Sequence, residues 1–310
     1  MKKHKMIALA LAAVIAVGLG SVPASASSEA GGKSATYSTR SYEATPRAKT
    51  ALSLKAVSSK SVWSYSRPTV RVYGKTLSVN GLVIGGEVYI PFRAAAGALG
   101  ASYSYNSGTR TSTMKTNGLT LTATAGCYVA YGNGRALFTM SPTVIMSDGR
   151  MYIPASVFTK ATGLLLAESS SLVSINGSFK PLVSADKFYR EDELLWLSRI
   201  INAESCGEPL LGQIAVGGVV MNRVASSAYP NTIYGVIFDR RYGVQFSPIL
   251  NGSIYDTPCY NSVLAAKICL EGVDVTGGAL FFLQPEISQS SWIPKNREYL
   301  FTVGRHDFYR

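Results

Sequence analysis

The stretch EDELLWLSRIINAESCGEPLLGQIAVGGVVMNRVA, residues 191–225, contains two apolar patterns of helical period on either side of Cys-Gly-Glu-Pro. In the first pattern Leu197, Ile200 and Ile201 recur at helical spacing, after acidic residues of the kind that favour a helix start. Glu204 takes the next position of the same stripe, although a carboxylate on an apolar face must be neutralised, paired or used. The pattern therefore predicts a helix that carries one unusual carboxyl group.

A second helix is predicted after Gly207, because Pro209 suits a first turn and the glycines at 212, 217 and 218 allow close helix contact. Beyond it, ALFFL (279–283) and YLFTV (299–303) have the composition of strands. Helices with a small sheet indicate an α+β fold, mostly helical, for a C-terminal domain at 185–310. The remaining predicted elements are a short helix capped by Asn231, a hairpin about Asn251-Gly252 within 245–256, and a helix from Thr257 to Gly272.

An internal repeat precedes this domain. GEVYIPFRAAAGALG (86–100) recurs as GRMYIPASVFTKATG (149–163), and each copy is typical of a strand, a proline at a helix start, a short helix and a glycine stop. Short β-branched and aromatic segments surround the copies. Residues 68–180 are therefore predicted to form a duplicated β-rich domain. The paired Tyr-Ile-Pro units resemble the stalk domain that is similar to the N-terminal domain of copper amine oxidases, which implies a rigid spacer or weak wall-binding module.

The start of the chain is typical of a secretory signal. MKKHK is basic, an apolar run of 14 residues ends at Leu19, and Ala-Ser-Ala at 24–26 is a cleavage pattern, so residues 1–26 are predicted to be removed on export. A membrane anchor is the less favoured alternative, because the run is shorter than the ~20 residues that span a bilayer. Residues 27–67 are rich in Ser, Ala, Thr and Lys, and are predicted to form a flexible linker.

The net charge of +12 is unevenly distributed. Three basic residues belong to the signal, and residues 27–70 carry seven basic and two acidic side chains, so residues 71–310 retain only +4. Such a surface has no basic stripe of the kind that follows nucleic-acid phosphates. A basic tail on an exported protein is better suited to long-range attraction by the anionic polymers of a cell wall.

Histidine and cysteine limit the possible chemistry. The chain has only two histidines, His4 in the signal and His306, so it lacks the ligands of a multi-His zinc site, and neither a metal nor another cofactor is expected. Four cysteines are too few for a disulfide scaffold in a chain of this length, and they are expected to be mostly free, buried thiols. They are Cys127, Cys206, Cys259 and Cys269.

Two glutamates at the junction of the predicted helices have opposed environments. Glu204 lies on an apolar face near a helix C-terminus, and both effects raise the pKa of a carboxyl group. Glu208 stands at the start of the next helix, where the helix dipole favours the charged form. A pair of carboxyl groups with opposed environments is expected where one must donate a proton at neutral pH. From the residues alone, a structural role for Glu204 is equally possible.

AESCGEPLLGQIAVGGVVMNRV, VIFDRRYGVQFSP, SVLAAKICLEG and the terminal TVGRHDFYR together resemble the cell wall hydrolase family that includes the spore-cortex-lytic enzymes. The resemblance implies a lysozyme-like fold related to goose-type lysozyme and lytic transglycosylases, acting on the MurNAc–GlcNAc bond of peptidoglycan in the wall or the spore cortex. It assigns the catalytic acid and base to Glu204 and favours a structural role for Glu208. Cys206 departs from the family, in which arginine is common at this position.

Other residues are candidates for binding the glycan. Gln245, Tyr242, Phe246 and Trp292 could line a cleft through hydrogen bonds and flat apolar faces, although core packing is an equal alternative for the aromatics. His306 is expected to be structural, because the glutamate already supplies the proton. Two rival functions remain: a cysteine peptidase that uses Cys206 and His306, disfavoured because a helix C-terminus raises a thiol pKa, and a non-catalytic wall-binding protein.

Overall fold

The computed structural model describes residues 66–146, 148–241, 243–288 and 291–310. The predicted signal peptide and almost all of the predicted linker lie outside the described residues. The described chain combines sheets and helices, as an α+β fold predicts. Its first part, up to residue 177, is rich in sheet, and its second part combines helices with a small sheet.

The first part contains three sheets with the strand orders β12-β13-β1-β2, β10-β11-β4-β3 and β5-β6-β7-β8-β9. The strands are β1 (Thr69–Val72), β2 (Lys75–Thr76), β3 (Leu82–Ile84), β4 (Glu87–Pro91), β5 (Ser102–Asn106), β6 (Thr111–Thr116), β7 (Leu119–Thr124), β8 (Val129–Gly132), β9 (Arg135–Phe138), β10 (Val144–Ile145), β11 (Met151–Pro154), β12 (Leu165–Glu168) and β13 (Leu172–Asn176). The helices α1 (Phe92–Ala98) and α2 (Ala155–Thr162) follow β4 and β11 directly.

The two Tyr-Ile-Pro segments form the strand and helix units that their sequences predict. Strands β4 and β11 pair antiparallel, with Ile153 opposite Ile90. Each strand ends in the proline that occupies the N-cap of the following helix, and the first aromatic residues of the helices, Phe92 and Phe158, are fully buried. The two segments therefore contribute to one core, although they lie far apart in the sequence.

The second part combines helices with an antiparallel sheet of order β14-β16-β15. Its helices are α3 (Ala185–Phe188), α4 (Glu191–Ser205), α5 (Leu210–Ala225), α6 (Ile233–Ile237), α7 (Pro248–Asn251), α8 (Tyr260–Leu270) and α9 (Trp292–Asn296), with a 3-10 turn at Ser253–Tyr255. Its strands are β14 (Phe281–Leu283), β15 (Tyr299–Val303) and β16 (His306–Tyr309). No helix among the described residues is long and apolar enough to cross a bilayer.

Helices α4, α5 and α8 pack closely because Gly217, which has no side chain, lies where they meet. Leu197, Ile200 and Ile201 of α4 are fully buried, which confirms the predicted apolar stripe. A Cβ on Gly217 of α5 would lie 2.6 Å from Ile201 Cδ1 and 2.7 Å from Cys269 Sγ of α8. Gly217 therefore allows the close contact that the sequence predicts.

Two predicted local features are wrong. Residues 245–256 do not form a hairpin, because Pro248 begins the short helix α7 and Gly252, with a φ of 83°, ends it in the left-handed region. The cap of α6 is Thr232 rather than Asn231, since the Thr232 hydroxyl accepts a hydrogen bond of 3.0 Å from the Gly235 N–H.

The two parts of the chain meet at Glu271, which follows α8. Arg135 of β9 donates two hydrogen bonds to the Glu271 carboxylate, at 2.8 and 2.7 Å. The Tyr189 hydroxyl donates a third at 2.8 Å, and Lys160 Nζ lies 3.3 Å from the same carboxylate. Burial raises the pKa of Glu271, but the hydrogen bonds from Arg135 and Tyr189 lower this pKa by a larger amount, so the net shift is downward. The interface therefore contains a buried, charged carboxylate.

Candidate active site

Glu204 lies in the last turn of α4, one turn beyond the fully buried Ile200, and its side chain is partly buried. Burial raises its pKa to about 7, although the nearby positive charge of Arg223 acts in the opposite direction. No hydrogen bond joins its carboxyl group to another described residue. Near neutral pH this group can therefore donate a proton and, once charged, accept one.

Arg223, near the end of α5, is a charged residue that reasoning from the sequence missed. Its side chain is buried, its Nε donates a hydrogen bond of 2.8 Å to the Leu280 carbonyl, and its Nη1 has no partner among the described residues. The guanidinium lies over the rings of Tyr229 and Phe246, at 5.1 and 5.2 Å. Arg223 thus places a buried positive charge beside the acid.

The signal for Arg223 was present in the sequence. It follows the fully buried valines at 216, 219 and 220 at helical spacing, which is the pattern that singles out Glu204 on α4. A charged residue on the apolar stripe of each of two neighbouring helices predicts that the two charges lie near each other.

Glu208, between α4 and α5, is held by the turn between β15 and β16. Its carboxylate accepts hydrogen bonds from Arg305 Nε at 2.8 Å and from the Arg305 backbone N–H at 3.1 Å. Gly304 in this turn has a φ of 58°, and the Glu208 carboxylate occupies the place where a Cβ would stand. Only glycine fits there, and these contacts support a structural role for Glu208.

A buried polar network fixes the segment that joins α4 to α5. Gln213 of α5 is fully buried and donates hydrogen bonds to the carbonyls of Glu208, at 2.9 Å, and Cys206, at 3.3 Å. Its amide oxygen accepts a hydrogen bond of 2.9 Å from Ser262 of α8. The network joins α5 and α8 to the segment that follows α4, and it therefore restricts the position of the last turn of α4.

The predicted glycan-binding residues occupy different environments. Gln245 is partly buried and donates to the Gly243 carbonyl at 3.1 Å, whereas Tyr242 lies outside the described residues. Phe246 is only 2% exposed and belongs to the core, the alternative considered for the aromatic candidates. Trp292 is 52% exposed on α9, with the Arg297 guanidinium 4.9 Å from its ring. Of the two described aromatic candidates, Trp292 is the one whose ring is exposed.

His306 and Cys206 do not form a catalytic pair in the described structure. His306 is buried edge-on to Phe282 at 5.5 Å, and burial lowers its pKa. Cys206 is exposed at the end of α4, where its thiol donates to Cys259 Sγ rather than to a histidine. Partial burial of its sulfur, together with this hydrogen bond, raises the pKa of the Cys206 thiol. This arrangement does not favour the cysteine peptidase interpretation. No three His, Cys, Asp or Glu side chains in the described ranges are grouped as metal ligands.

The cysteines are less buried than the sequence predicts. Only Cys269 is fully buried, whereas Cys127 and Cys259 are half-buried and Cys206 is exposed. All four are free thiols in the structure.

Comparison with known families identifies both parts of the chain. Residues 207–309 match the Cell Wall Hydrolase family, and residues 71–174 match the Copper amine oxidase N-terminal domain. The chain therefore carries a segment of the cell wall hydrolase family preceded by one similar to the amine oxidase N-terminal domain. The hydrolase match begins at Gly207, so it includes Glu208 but not Glu204.

Individual relatives refine the family assignment. The chain is 38% identical over 120 residues to a spore cortex-lytic enzyme of Bacillus cereus, which covers 39% of this chain and 45% of that protein. It is 30% identical over 120 residues to the Bacillus subtilis spore cortex-lytic enzyme, covering 39% and 38%. The chain thus spans less than half the length of these curated relatives.

A solved structure is also similar. The catalytic domain of the germination-specific lytic transglycosylase SleB from Bacillus anthracis is 37% identical, with a TM-score of 0.37, and the match covers 39% of this chain and 97% of that domain.

Proposed function

We propose that this protein is an exported peptidoglycan glycosidase that cleaves the MurNAc–GlcNAc bond of wall or spore cortex glycan, with Glu204 as its single acid and base. The observation that carries the proposal is a partly buried carboxyl group, in the last turn of a helix with a buried apolar face, whose pKa is raised to about 7. The names of the relatives, spore cortex-lytic enzyme and lytic transglycosylase, support the substrate class and the reaction.

The reaction needs one carboxyl group in two successive roles. Protonated Glu204 donates its proton to the glycosidic oxygen as the bond to MurNAc C1 breaks. The resulting carboxylate then takes the proton of the MurNAc C6 hydroxyl, whose oxygen bonds to C1 and gives a 1,6-anhydro end. If water takes the place of that hydroxyl, the product is a reducing end. We favour the lytic transglycosylase route, which requires no second carboxylate.

The sheet-rich part is proposed to act as a spacer or as a weak wall-binding module. Its resemblance to the amine oxidase domain brings no copper chemistry, because the described residues of this part include no histidine. Together with a basic linker, it would hold the catalytic part near an anionic wall.

The decisive experiment compares Glu204→Gln with Glu208→Gln on purified peptidoglycan. Glu204→Gln preserves shape but removes the titrating proton, so release of muropeptides should fall by a factor of about 10² to 10⁴ while the melting temperature is retained. Glu191→Gln, an exposed position on the same helix, is the matched control and should keep full activity. Mass spectrometry of the products distinguishes anhydro ends from reducing ends.

Two outcomes would overturn the assignment. A Glu204→Gln protein that keeps more than about a tenth of the wild-type rate would exclude Glu204 as the acid. A folded but inactive Glu208→Gln protein beside an active Glu204→Gln protein would reverse the two roles. We expect Glu208→Gln to lose stability instead, because it breaks the pair with Arg305.

A further inference from the structure

Two cysteines that are distant in the sequence lie close together at the C-terminal end of α4, the helix that carries Glu204. Cys206 caps the C-terminus of α4, and Cys259 occupies the N-cap of α8, 53 residues later. Their sulfur atoms are 3.1 Å apart. A disulfide bond requires about 2.05 Å, so closure needs a movement of only about 1 Å. The other two thiols, Cys127 and Cys269, form no such pair in the described structure.

The surrounding backbone holds the two cysteines in place. Asn202, one turn before Cys206 on α4, accepts a hydrogen bond of 2.9 Å from the Cys259 backbone N–H. The Ser262 hydroxyl lies 3.2 Å from Cys259 Sγ and 2.9 Å from the Gln213 amide oxygen. The approach of the two sulfurs is thus fixed by contacts between α4, α5 and α8, and not only by the rotamers of two mobile side chains.

The two thiols differ in the way that exchange chemistry requires. Burial raises the pKa of Cys259, but hydrogen bonds from Ser262 and Cys206 lower this pKa by a larger amount, so the net shift is downward. Partial burial of the Cys206 sulfur, together with its hydrogen bond to Cys259, raises the pKa of Cys206. Cys259 is therefore the thiol that more readily becomes the attacking thiolate, and Cys206 is exposed to solvent beside it.

We propose that Cys206 and Cys259 form a disulfide bond that joins the end of the Glu204 helix to the start of α8. With a small-molecule disulfide as oxidant, the Cys259 thiolate attacks one of its sulfurs and releases one thiolate. The Cys206 thiolate then attacks Cys259 Sγ, forms the internal bond and releases the second. Both cysteines are oxidised, the two released thiolates take up the protons of the two cysteine thiols, and the oxidant is thereby reduced to two thiols.

The Cys206–Cys259 bond would stabilise the candidate active site without taking part in the proposed glycosidase reaction. Cys206 lies two residues beyond Glu204, so the bond restrains the last turn of α4. The bond also closes a loop that contains all of α5, which lowers the entropy of the unfolded chain. The proposal does not depend on the glycosidase assignment, because neither sulfur contacts a reacting group in the proposed mechanism.

The test uses the full chain, incubated with oxidised glutathione or with a phosphine reductant, then unfolded, alkylated and analysed by mass spectrometry. We expect the oxidised protein to carry two fewer alkyl groups than the reduced protein, and digestion to yield one cross-linked peptide that contains Cys206 and Cys259. Its melting temperature should exceed that of the reduced form by about 5 °C. Cys127→Ser, the matched control, should keep both differences.

The variants Cys206→Ser and Cys259→Ser make the outcome decisive. Each should abolish the cross-link and the redox dependence of the melting temperature. Alkylation of all four thiols in the wild-type protein after oxidation would overturn the proposal. So would a cross-linked peptide that contains Cys127, or a stable glutathione adduct on Cys206 with Cys259 still free. Because the wild-type measurement decides the question, a variant that fails to fold does not obscure it.

Discussion

Glu204 combines two requirements in one side chain. As the proposed acid, its carboxyl group must lose enough water to keep its proton near neutral pH, yet it must stay accessible to a glycan. The partly buried last turn of α4 suits both conditions, because burial raises the pKa of Glu204 while part of the residue stays exposed. Arg223 limits the rise, because its positive charge favours the carboxylate that forms when the proton leaves.

The raised pKa of Glu204 predicts how activity depends on pH. Because the protonated form is the donor, kcat/KM on a soluble glycan should be constant below pH 7 and should fall about tenfold for each pH unit above it. Arg223→Gln removes the charge that lowers this pKa, so the alkaline limb should move to higher pH. A wild-type profile that stays flat through pH 9 would contradict the role of Glu204 as a proton donor.

At the scale of elements, Gly217 sets the distance between α4, α5 and α8. Gly217→Ala places a methyl group against Ile201 and Cys269, so it should destabilise the protein by about 1–2 kcal/mol, even after the gain in helix propensity. Gly97→Ala is a matched control, because a Cβ at Gly97 in α1 meets no atom within 4 Å. It should stabilise the protein by up to about 1 kcal/mol in urea unfolding. Equal effects at the two sites would contradict the packing argument.

Periodicity predicted the elements, but it could not predict which of them meet. The stripe of α4, the start of α5 and the strands at 281–283 and 299–303 follow from local patterns of apolar residues, which act through neighbours along the chain. The Asn251-Gly252 hairpin failed because Pro248 starts a helix there. Spacing holds no information on the pair of Cys206 and Cys259, since their contact depends on how α4 and α8 cross.

For the whole molecule, Glu271 makes the ionic contacts between the two parts. Glu271→Gln leaves the Arg135 guanidinium buried without its carboxylate, so the full chain should lose about 3–5 kcal/mol of stability. In a fragment of residues 181–310, which lacks Arg135 and Lys160, the same substitution should have little effect. Urea unfolding of both pairs measures the difference, and equal losses would show that Glu271 acts only within the helical part.

The charged contact at Glu271 also affects the design of hybrid lytic proteins. A natural way to retarget a wall-degrading domain is to cut before residue 185 and attach a different targeting module. Such a graft keeps Glu271 and Tyr189 but discards the two cations that neutralise the carboxylate. A new neighbour that buries Glu271 must therefore present a basic residue at that position, or the graft must carry a neutral side chain in place of Glu271. Transfer of the proposed lytic activity to a hybrid protein would thus depend on a residue outside the candidate active site.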